Sequence, residues 1–278
     1  MATAVSFDER HSDLLSGTAR AHAIDRWIYV FTAALFVAIV LTGFIPDSLG
    51  KIALVQAGTR PPFPIVLHMH AVLMASFMGL LLAQTTLVAT GRFELHMRVG
   101  IAAFVIAPLL VLVGFFLVPT MYHQSSDALL AATTPEAREK LRQVLLHKDN
   151  IMLLQFRIGI LFPLFLALGL RARGRNAGLH KRMMILASAI PLGAGIDRIA
   201  WLPTTLPTLP LSSDLYILAA LAPMLSWDVM RNRRMHEAYI VWLGLCVPVS
   251  LLVYALWNTS WWHATAERLM GVAGISTW

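Results

Sequence analysis

The sequence predicts an all-α protein, a polytopic membrane helix bundle with seven transmembrane helices. Apolar residues make up 58% of its 278 residues, and charged residues only 13%, whereas soluble globular domains are usually about 25% charged. Several apolar runs approach or exceed the ~20 residues that a helix needs to cross ~30 Å of hydrocarbon. Short clusters of lysine and arginine separate these runs. We therefore expect an integral membrane protein whose first partner is the lipid bilayer.

The apolar runs define seven candidate spans. Their approximate limits are 27–46, 63–89, 99–119, 151–170, 183–202, 213–229 and 238–257. We expect the first span to end at Pro46 and the third at Pro119, because proline lacks the amide hydrogen that a helix needs. Other prolines inside the spans should kink their helices; these are Pro108, Pro163, Pro191, Pro223 and Pro248.

Lysine and arginine indicate the orientation of the chain. They are concentrated in the N-terminal tail and in the loops after spans two, four and six. Basic loops stay in the cytoplasm, so we expect a cytoplasmic tail (1–26), a transmembrane domain (27–258) and a short outer C-terminal segment (259–278). We expect the bacterial inner membrane as the location. The net charge of +7 belongs to these loops, and no basic patch interleaved with aromatic residues indicates nucleic-acid binding.

The third loop has the features of a helix start. It contains "TTPEAREKLRQ", in which Thr134 is a typical N-cap, Pro135 a typical first residue and Glu136 suits the positive end of a helix. No glycine or proline follows until Gly159. We predict an outer amphipathic helix over about 135–150 that runs directly into span four.

Three loops on the predicted cytoplasmic side repeat one short pattern. They read "GRFELHMR" (91–98), "GRNAGLHKR" (174–182) and "RNRRMHEA" (231–238), and each places a histidine just before an outgoing helix: His96, His180 and His236. The pattern predicts repeated two-helix hairpins, a common way to build membrane proteins. The histidines have two interpretations. They bond headgroups or carbonyl oxygens, or they converge on a metal or a haem edge, with Asp228 as a further ligand.

Polar residues within the spans form a second candidate cluster. His70, Arg157 and Asp197 lie on three different spans, each roughly 10 Å from the outer boundary by the ~1.5 Å rise of a helix. His70 shares a helix face with Phe77 and Gln84 and should face the bundle, whereas His68 lies about 200° away and should face the interface or a neighbouring helix. His147, Asn150, Leu154 and Arg157 form one stripe along span four.

Two interpretations of this outer cluster stay open. In the structural one, Arg157 pairs with Asp197 and His70 bonds a carbonyl oxygen. In the functional one, a polar pocket holds an anionic group, a quinone head or haem b, because a charge within a span usually marks a site. For haem, His70 and His147 would be axial ligands, and Arg157 or Arg198 would contact the propionates.

The pattern "H-x-H … Q … GR-x-x-LH-x-R", followed by "LHKRMM … DR", covers about residues 62–240. It resembles a broad group of uncharacterised multi-pass bacterial membrane proteins. It is more distantly similar to the cytochrome b561 family, which binds two haems through paired histidines within helices. This likeness implies haem binding, but only His68 and His70 lie inside a span here, so no ligand residue is transferred.

Three functions follow as hypotheses. The first is a haem- or metal-binding redox protein that carries electrons, with quinone as a possible cofactor. The second is a non-catalytic accessory or assembly subunit of a membrane complex. The third is a membrane metalloenzyme with a three-histidine cytoplasmic site at His96, His180 and His236. No nucleophile elbow and no phosphate-binding loop occurs in the sequence.

Overall fold

The computed structural model describes residues 22–277, and every regular element among them is helical. The α-helices, numbered in chain order, are α1 (Ala23–Gln56), α2 (Ile65–Ala89), α3 (Phe93–Gly100), α4 (Ala103–Leu130), α5 (Pro135–Ala172), α6 (Ala177–Ala189), α7 (Gly193–Ile196), α8 (Leu211–Asn232), α9 (Glu237–Leu256) and α10 (Ser260–Leu269). Short 3₁₀ turns cover Ile190–Leu192 and Ile275–Thr277. The expected all-α class is confirmed.

Five helical segments are long and apolar enough to cross a membrane: α1, α2, α3 with α4, α5, and α9. Large apolar side chains such as Val72, Phe115 and Leu251 are exposed on the outside of the bundle. A soluble protein would rarely leave so much apolar surface in water, so this surface suits lipid. The chain is an integral membrane protein. The count of seven spans stays a prediction, because α6 and α7 are each too short to cross a membrane, with 13 and 4 residues, and α8 is not among the five segments.

Two helices run further than the sequence indicated. We expected ends at Pro46 and Pro119, and both expectations are wrong: α1 continues through Pro46 to Gln56, and α4 through Pro119 to Leu130. A proline removes one hydrogen bond but does not stop a helix whose later turns are held by other contacts. In α1, for example, Lys51 and Asp47 pair one turn apart after the proline. Both helices therefore project beyond their apolar runs.

The long helix α5 lies at the centre of the bundle. The Thr134 hydroxyl accepts a hydrogen bond of 3.2 Å from the Ala137 amide, and Pro135 is the first helical residue. The predicted start and the direct run into span four are confirmed. At ~1.5 Å per residue, the 38-residue helix is about 57 Å long. It packs against α4, α6, α9 and α10, so it reaches both ends of the molecule.

The prolines within helices have different effects. Pro191 begins the 3₁₀ turn that separates α6 from α7, so span five is broken there as expected. The shortened α7 then crosses α1 at very close range. A Cβ atom added to Gly43 of α1 would lie 2.0 Å from the Gly195 carbonyl oxygen. Only glycine allows the two backbones to approach this closely, a common device where membrane helices cross.

The C-terminal segment, expected only as a short outer stretch, folds into α10 and packs against α5. Buried Trp262 donates from Nε1 to the Asp149 carbonyl oxygen at 2.7 Å. Buried Glu267 accepts hydrogen bonds from the amides of Gly274 and Ser276 at 2.8 and 3.1 Å. Trp262 belongs, with Tyr122, Leu145 and Trp257, to a second apolar core at this end of the bundle.

Candidate functional site

A cavity of about 2490 Å³ lies between the long helices of the bundle. Its walls come from α1, α2, α4 and α5, from residues 188–198 and from α10. Most of the lining is apolar, but a minority of charged and polar side chains is present. A mainly apolar cleft with a few polar groups is the usual form of a small-molecule site.

The five residues that the sequence suggested for a cofactor all line this one cavity. They are His70, His147, Arg157, Asp197 and Arg198. The predicted stripe on α5 is also correct, since Asn150 and Leu154 line the cavity together with His147 and Arg157. The sequence therefore placed these groups on the right faces of their helices.

The partner of Arg157 differs from the expected one. Its Nη1 donates to both carboxylate oxygens of Asp214, at 2.8 and 2.9 Å, and to the Ser250 hydroxyl at 2.9 Å. The expected pair of Arg157 with Asp197 is wrong; Asp197 instead accepts a hydrogen bond from the Ser213 hydroxyl. Asp214 lies in the first turn of α8, where the positive end of the helix favours a carboxylate.

Arg198 also has a partner from the protein. Its guanidinium lies 4.5 Å from the centre of the Phe44 ring, and its Nε lies 3.4 Å from the Asp47 carboxylate. Both arginines proposed for haem propionates are therefore already close to a carboxylate. Asp214 compensates the charge of Arg157, whereas Asp47 is shared between Arg198 and the closer Lys51.

His70 lies on the bundle side of α2, as predicted. Phe77, which lies two turns later on the same face of α2, is buried. Its ring packs edge-on against Phe162, with 5.3 Å between the ring centres. His68 is exposed and lies edge-on to Phe63. The Nδ1 atom of His70 is buried and has no hydrogen-bond partner among residues 22–277. The expected bond to a carbonyl is absent there, so this nitrogen is available to a ligand.

Four cavity cations were not recognised as site residues from the sequence: Lys51, Arg60, Lys140 and Lys148. Lys148 donates to the Met121 carbonyl oxygen, and the Arg60 guanidinium lies 5.3 Å from the centre of the Phe63 ring. Neither forms an ion pair with a carboxylate in the described part of the chain. Arg60 lies in the loop between α1 and α2, and Lys148 lies on the part of α5 that precedes its apolar run.

The three repeated histidines do not form one site. His96 and His180 meet with 6.4 Å between their ring centres. His236 instead caps α9, with Nδ1 accepting from the Ala238 amide at 3.1 Å. Among residues 22–277, no group of three or more histidine, cysteine or acidic side chains is placed to hold a metal ion. The three-histidine metal site at His96, His180 and His236 therefore stays a prediction that the described residues do not support.

The contacts of His96 and His180 favour the structural interpretation. The Nδ1 of His180 lies 2.8 Å from the Gly169 carbonyl oxygen, and that of His96 lies 3.4 Å from the Gln84 carbonyl oxygen. In both hairpins the histidine thus bonds back to the end of the preceding helix.

Asp228 is not a free ligand either. Both of its carboxylate oxygens accept from the Arg182 guanidinium, and it also accepts from the Tyr239 hydroxyl at 2.9 Å and the Asn232 amide at 2.8 Å. Arg182 is only 1% exposed. A buried charge needs such a partner, so this network ties α6, α8 and α9 together.

Comparisons with protein families, curated proteins and solved structures found no match to this chain.

Proposed function

We propose that this integral membrane protein binds an amphipathic molecule with an anionic head in the cavity between α1, α2, α4 and α5. The observation that carries the proposal is the combination of about 2490 Å³ of mainly apolar space with the cations Arg60 and Lys148, which have no carboxylate partner in the described chain. The apolar walls suit a hydrocarbon chain, and the cations suit a phosphate or carboxylate group.

Electrostatics at the cavity support an anion rather than a neutral head. Lys51 and Arg60 are close enough to Lys148 for the like charges to repel one another. Only Lys51 is neutralised, by Asp47 at 2.5 Å. Like charges that gather in a partly buried place are unfavourable unless a counter-charge joins them. An anionic head between Lys148 and Arg60 would supply that counter-charge.

For the topology we propose seven crossings, with the N-terminus in the cytoplasm and the C-terminus outside. The segment from Ala177 to Ile196 has 20 residues and α8 has 22, which is about 30 Å or more of helix. Their charged residues Arg182, Asp214 and Asp228 are in ion pairs within the bundle. Paired charges are tolerated in spans that face protein rather than lipid.

Haem b, and with it a redox or electron-transfer function, is the second candidate. The buried and partnerless Nδ1 of His70 favours it, because a neutral imidazole nitrogen is a common iron ligand. His147 lines the same cavity. The first candidate is preferred, because Arg157 is already bonded to the Asp214 carboxylate and is less available to a propionate. A quinone head would use the same space without a metal.

Binding of dodecyl phosphate to the purified protein in a non-ionic detergent tests the first candidate. We expect calorimetry to detect binding, and we expect Lys148→Gln to weaken it about tenfold, since a charge-assisted hydrogen bond contributes roughly 1.5 kcal/mol or more. Arg175→Gln is the matched control, because Arg175 is an exposed loop residue away from the cavity. Equal affinity in both variants would contradict the proposal.

The visible spectrum of the same sample separates the two candidates. A Soret band that is lost in His70→Ala would favour haem b over an amphipathic lipid. A colourless protein that binds dodecyl phosphate supports the first candidate. A colourless protein that does not bind it would leave the accessory or assembly role.

A further inference from the structure

A buried carboxylate and a histidine are in contact at the wall of the cavity, where α4, α5 and α10 come together. The His263 Nδ1 of α10 lies 2.8 Å from Asp149 Oδ2 of α5, and the Tyr122 hydroxyl of α4 donates to Asp149 Oδ1 at 2.7 Å. The Asp149 side chain is fully buried, whereas that of His263 is 15% exposed. Three separate helices therefore contribute to this cluster.

The geometry leaves one nitrogen of His263 free for chemistry. Because an ionised carboxylate only accepts hydrogen bonds, Nδ1 must carry the hydrogen that lies between His263 and Asp149. In the neutral imidazole the other nitrogen, Nε2, has a lone pair, and no protein partner for it is found among residues 22–277. His263 lines the cavity, as do Tyr122 and Lys148. A histidine oriented in this way by a buried aspartate is the usual arrangement of a general base.

We propose that Asp149 and His263 form a catalytic acid–base pair that hydrolyses a phosphoester bond in the amphipathic ligand. This inference rests on the proposed function for the substrate's anionic, lipid-like character. His263 Nε2 takes a proton from water while the water oxygen bonds to phosphorus and the bond from phosphorus to the alcohol oxygen breaks. The imidazolium returns its proton to that oxygen, so the products are an alcohol and a phosphate with one ester bond fewer.

The cations of the cavity explain the choice of a phosphoester over a carboxylic ester. Lys148 precedes Asp149 on α5, and Arg60 and Lys51 lie near enough to interact with it electrostatically. Negative charge spreads over the phosphoryl oxygens during such a reaction, and fixed cations stabilise it. Tyr122 and Asp149 are positioning groups, because they act through His263 rather than on the substrate.

Hydrolysis of dodecyl 4-nitrophenyl phosphate, followed by the colour of the released nitrophenolate, tests the reaction. We expect turnover by the wild-type protein and a loss of about 100-fold or more in His263→Asn. His22→Asn is the matched control, because His22 is an exposed histidine at the start of α1 that does not line the cavity; its turnover should be unchanged. Equal losses in both variants would overturn the assignment.

A second measurement needs no variant and so does not depend on folding. Diethyl pyrocarbonate modifies neutral imidazole nitrogens, and mass spectrometry can compare His263 with the exposed His68 and His123 in the wild-type protein. We expect His263 to react fastest. If it reacts more slowly than both, the pair is not an activated base and the proposal fails.

The two proposals fail in different ways. If dodecyl phosphate binds but the nitrophenyl ester is not hydrolysed, the catalytic proposal is overturned and ligand binding stands. If dodecyl phosphate does not bind, the proposed function is overturned, whatever the reactivity of His263.

Discussion

At the residue scale, the buried charges of this protein are held by specific partners. Arg182 is 1% exposed and is bonded to both oxygens of Asp228, and Arg157 is bonded to both oxygens of Asp214. In a bundle surrounded by lipid, an uncompensated charge at such a place would be very unfavourable. These pairs account for the presence of charged residues in α6 and α8.

The Arg182–Asp228 pair gives a stability prediction. Asp228→Ala leaves the Arg182 guanidinium buried without its carboxylate, and we expect it to lower the free energy of unfolding by about 3–5 kcal/mol. Thermal unfolding in detergent would measure this loss. Asp127→Ala is the control, because Asp127 is an exposed acidic residue near the end of α4. A similar small effect in both variants would show that the pair is dispensable.

Only some of the site could be predicted at this scale. His70, His147 and Arg157 were predictable because helical periodicity assigns each to a face. The partner of Arg157 was not, since sequence spacing does not say which of two acidic residues, Asp197 or Asp214, will be nearer in space. The Asp149–His263 contact joins residues 114 positions apart, so no local pattern could have indicated it.

At the scale of the elements, the close crossing of α1 and α7 holds one wall of the cavity. Gly43 is buried in this crossing, and the Cβ position of Gly195 is also tight, at 3.3 Å from the Val40 Cα. Asp197 and Arg198, which follow the end of α7 directly, line the cavity. A change in the spacing of these helices would therefore move the polar side chains as well.

Two glycines of α1 offer a matched test of this crossing. Gly43→Ala would force α1 and α7 apart, because its Cβ would lie 2.0 Å from a backbone oxygen. We expect a loss of about 1–3 kcal/mol in unfolding free energy. Gly50→Ala adds a methyl group in open space, so it should be neutral or slightly stabilising. Thermal unfolding of both variants would measure the difference. Equal stabilities would contradict the close crossing of α1 and α7.

The N-cap of α5 gives a second stability prediction for a single helix, with a smaller expected loss. Thr134→Ala removes the hydroxyl that accepts from the Ala137 amide, and loss of such a cap typically costs about 1 kcal/mol. Thr134→Ser keeps the hydroxyl and should retain most of the stability. A Ser variant as unstable as the Ala variant would mean that the cap is not the cause.

At the scale of the whole molecule, the fold class was predictable and the cavity was not. Apolar runs and basic loops determine an all-helical membrane protein, because lipid forces the backbone to satisfy its own hydrogen bonds. The ends of the helices were less predictable, since α1 and α4 pass through Pro46 and Pro119. These extra turns add residues to the wall of the cavity, including Lys51 of α1. The spacing of apolar residues in the sequence does not predict this contribution.

The topology can be tested on the whole molecule with single cysteines. In a Cys246→Ala background, Thr133→Cys lies in the α4–α5 loop and Gly174→Cys in the α5–α6 loop. The proposed orientation places the first outside and the second in the cytoplasm. An impermeant maleimide added to intact cells should therefore label only Thr133→Cys. Labelling of Gly174→Cys alone would invert the orientation.

The docking of α10 on α5 has a consequence for biosynthesis. His263 lies on α10, whereas its partner Asp149 lies on the central helix α5. Because α5 precedes α10 in the sequence, the ribosome makes Asp149 long before His263. A chain interrupted between the two helices would therefore insert most of the cavity wall but lack the imidazole that contacts Asp149.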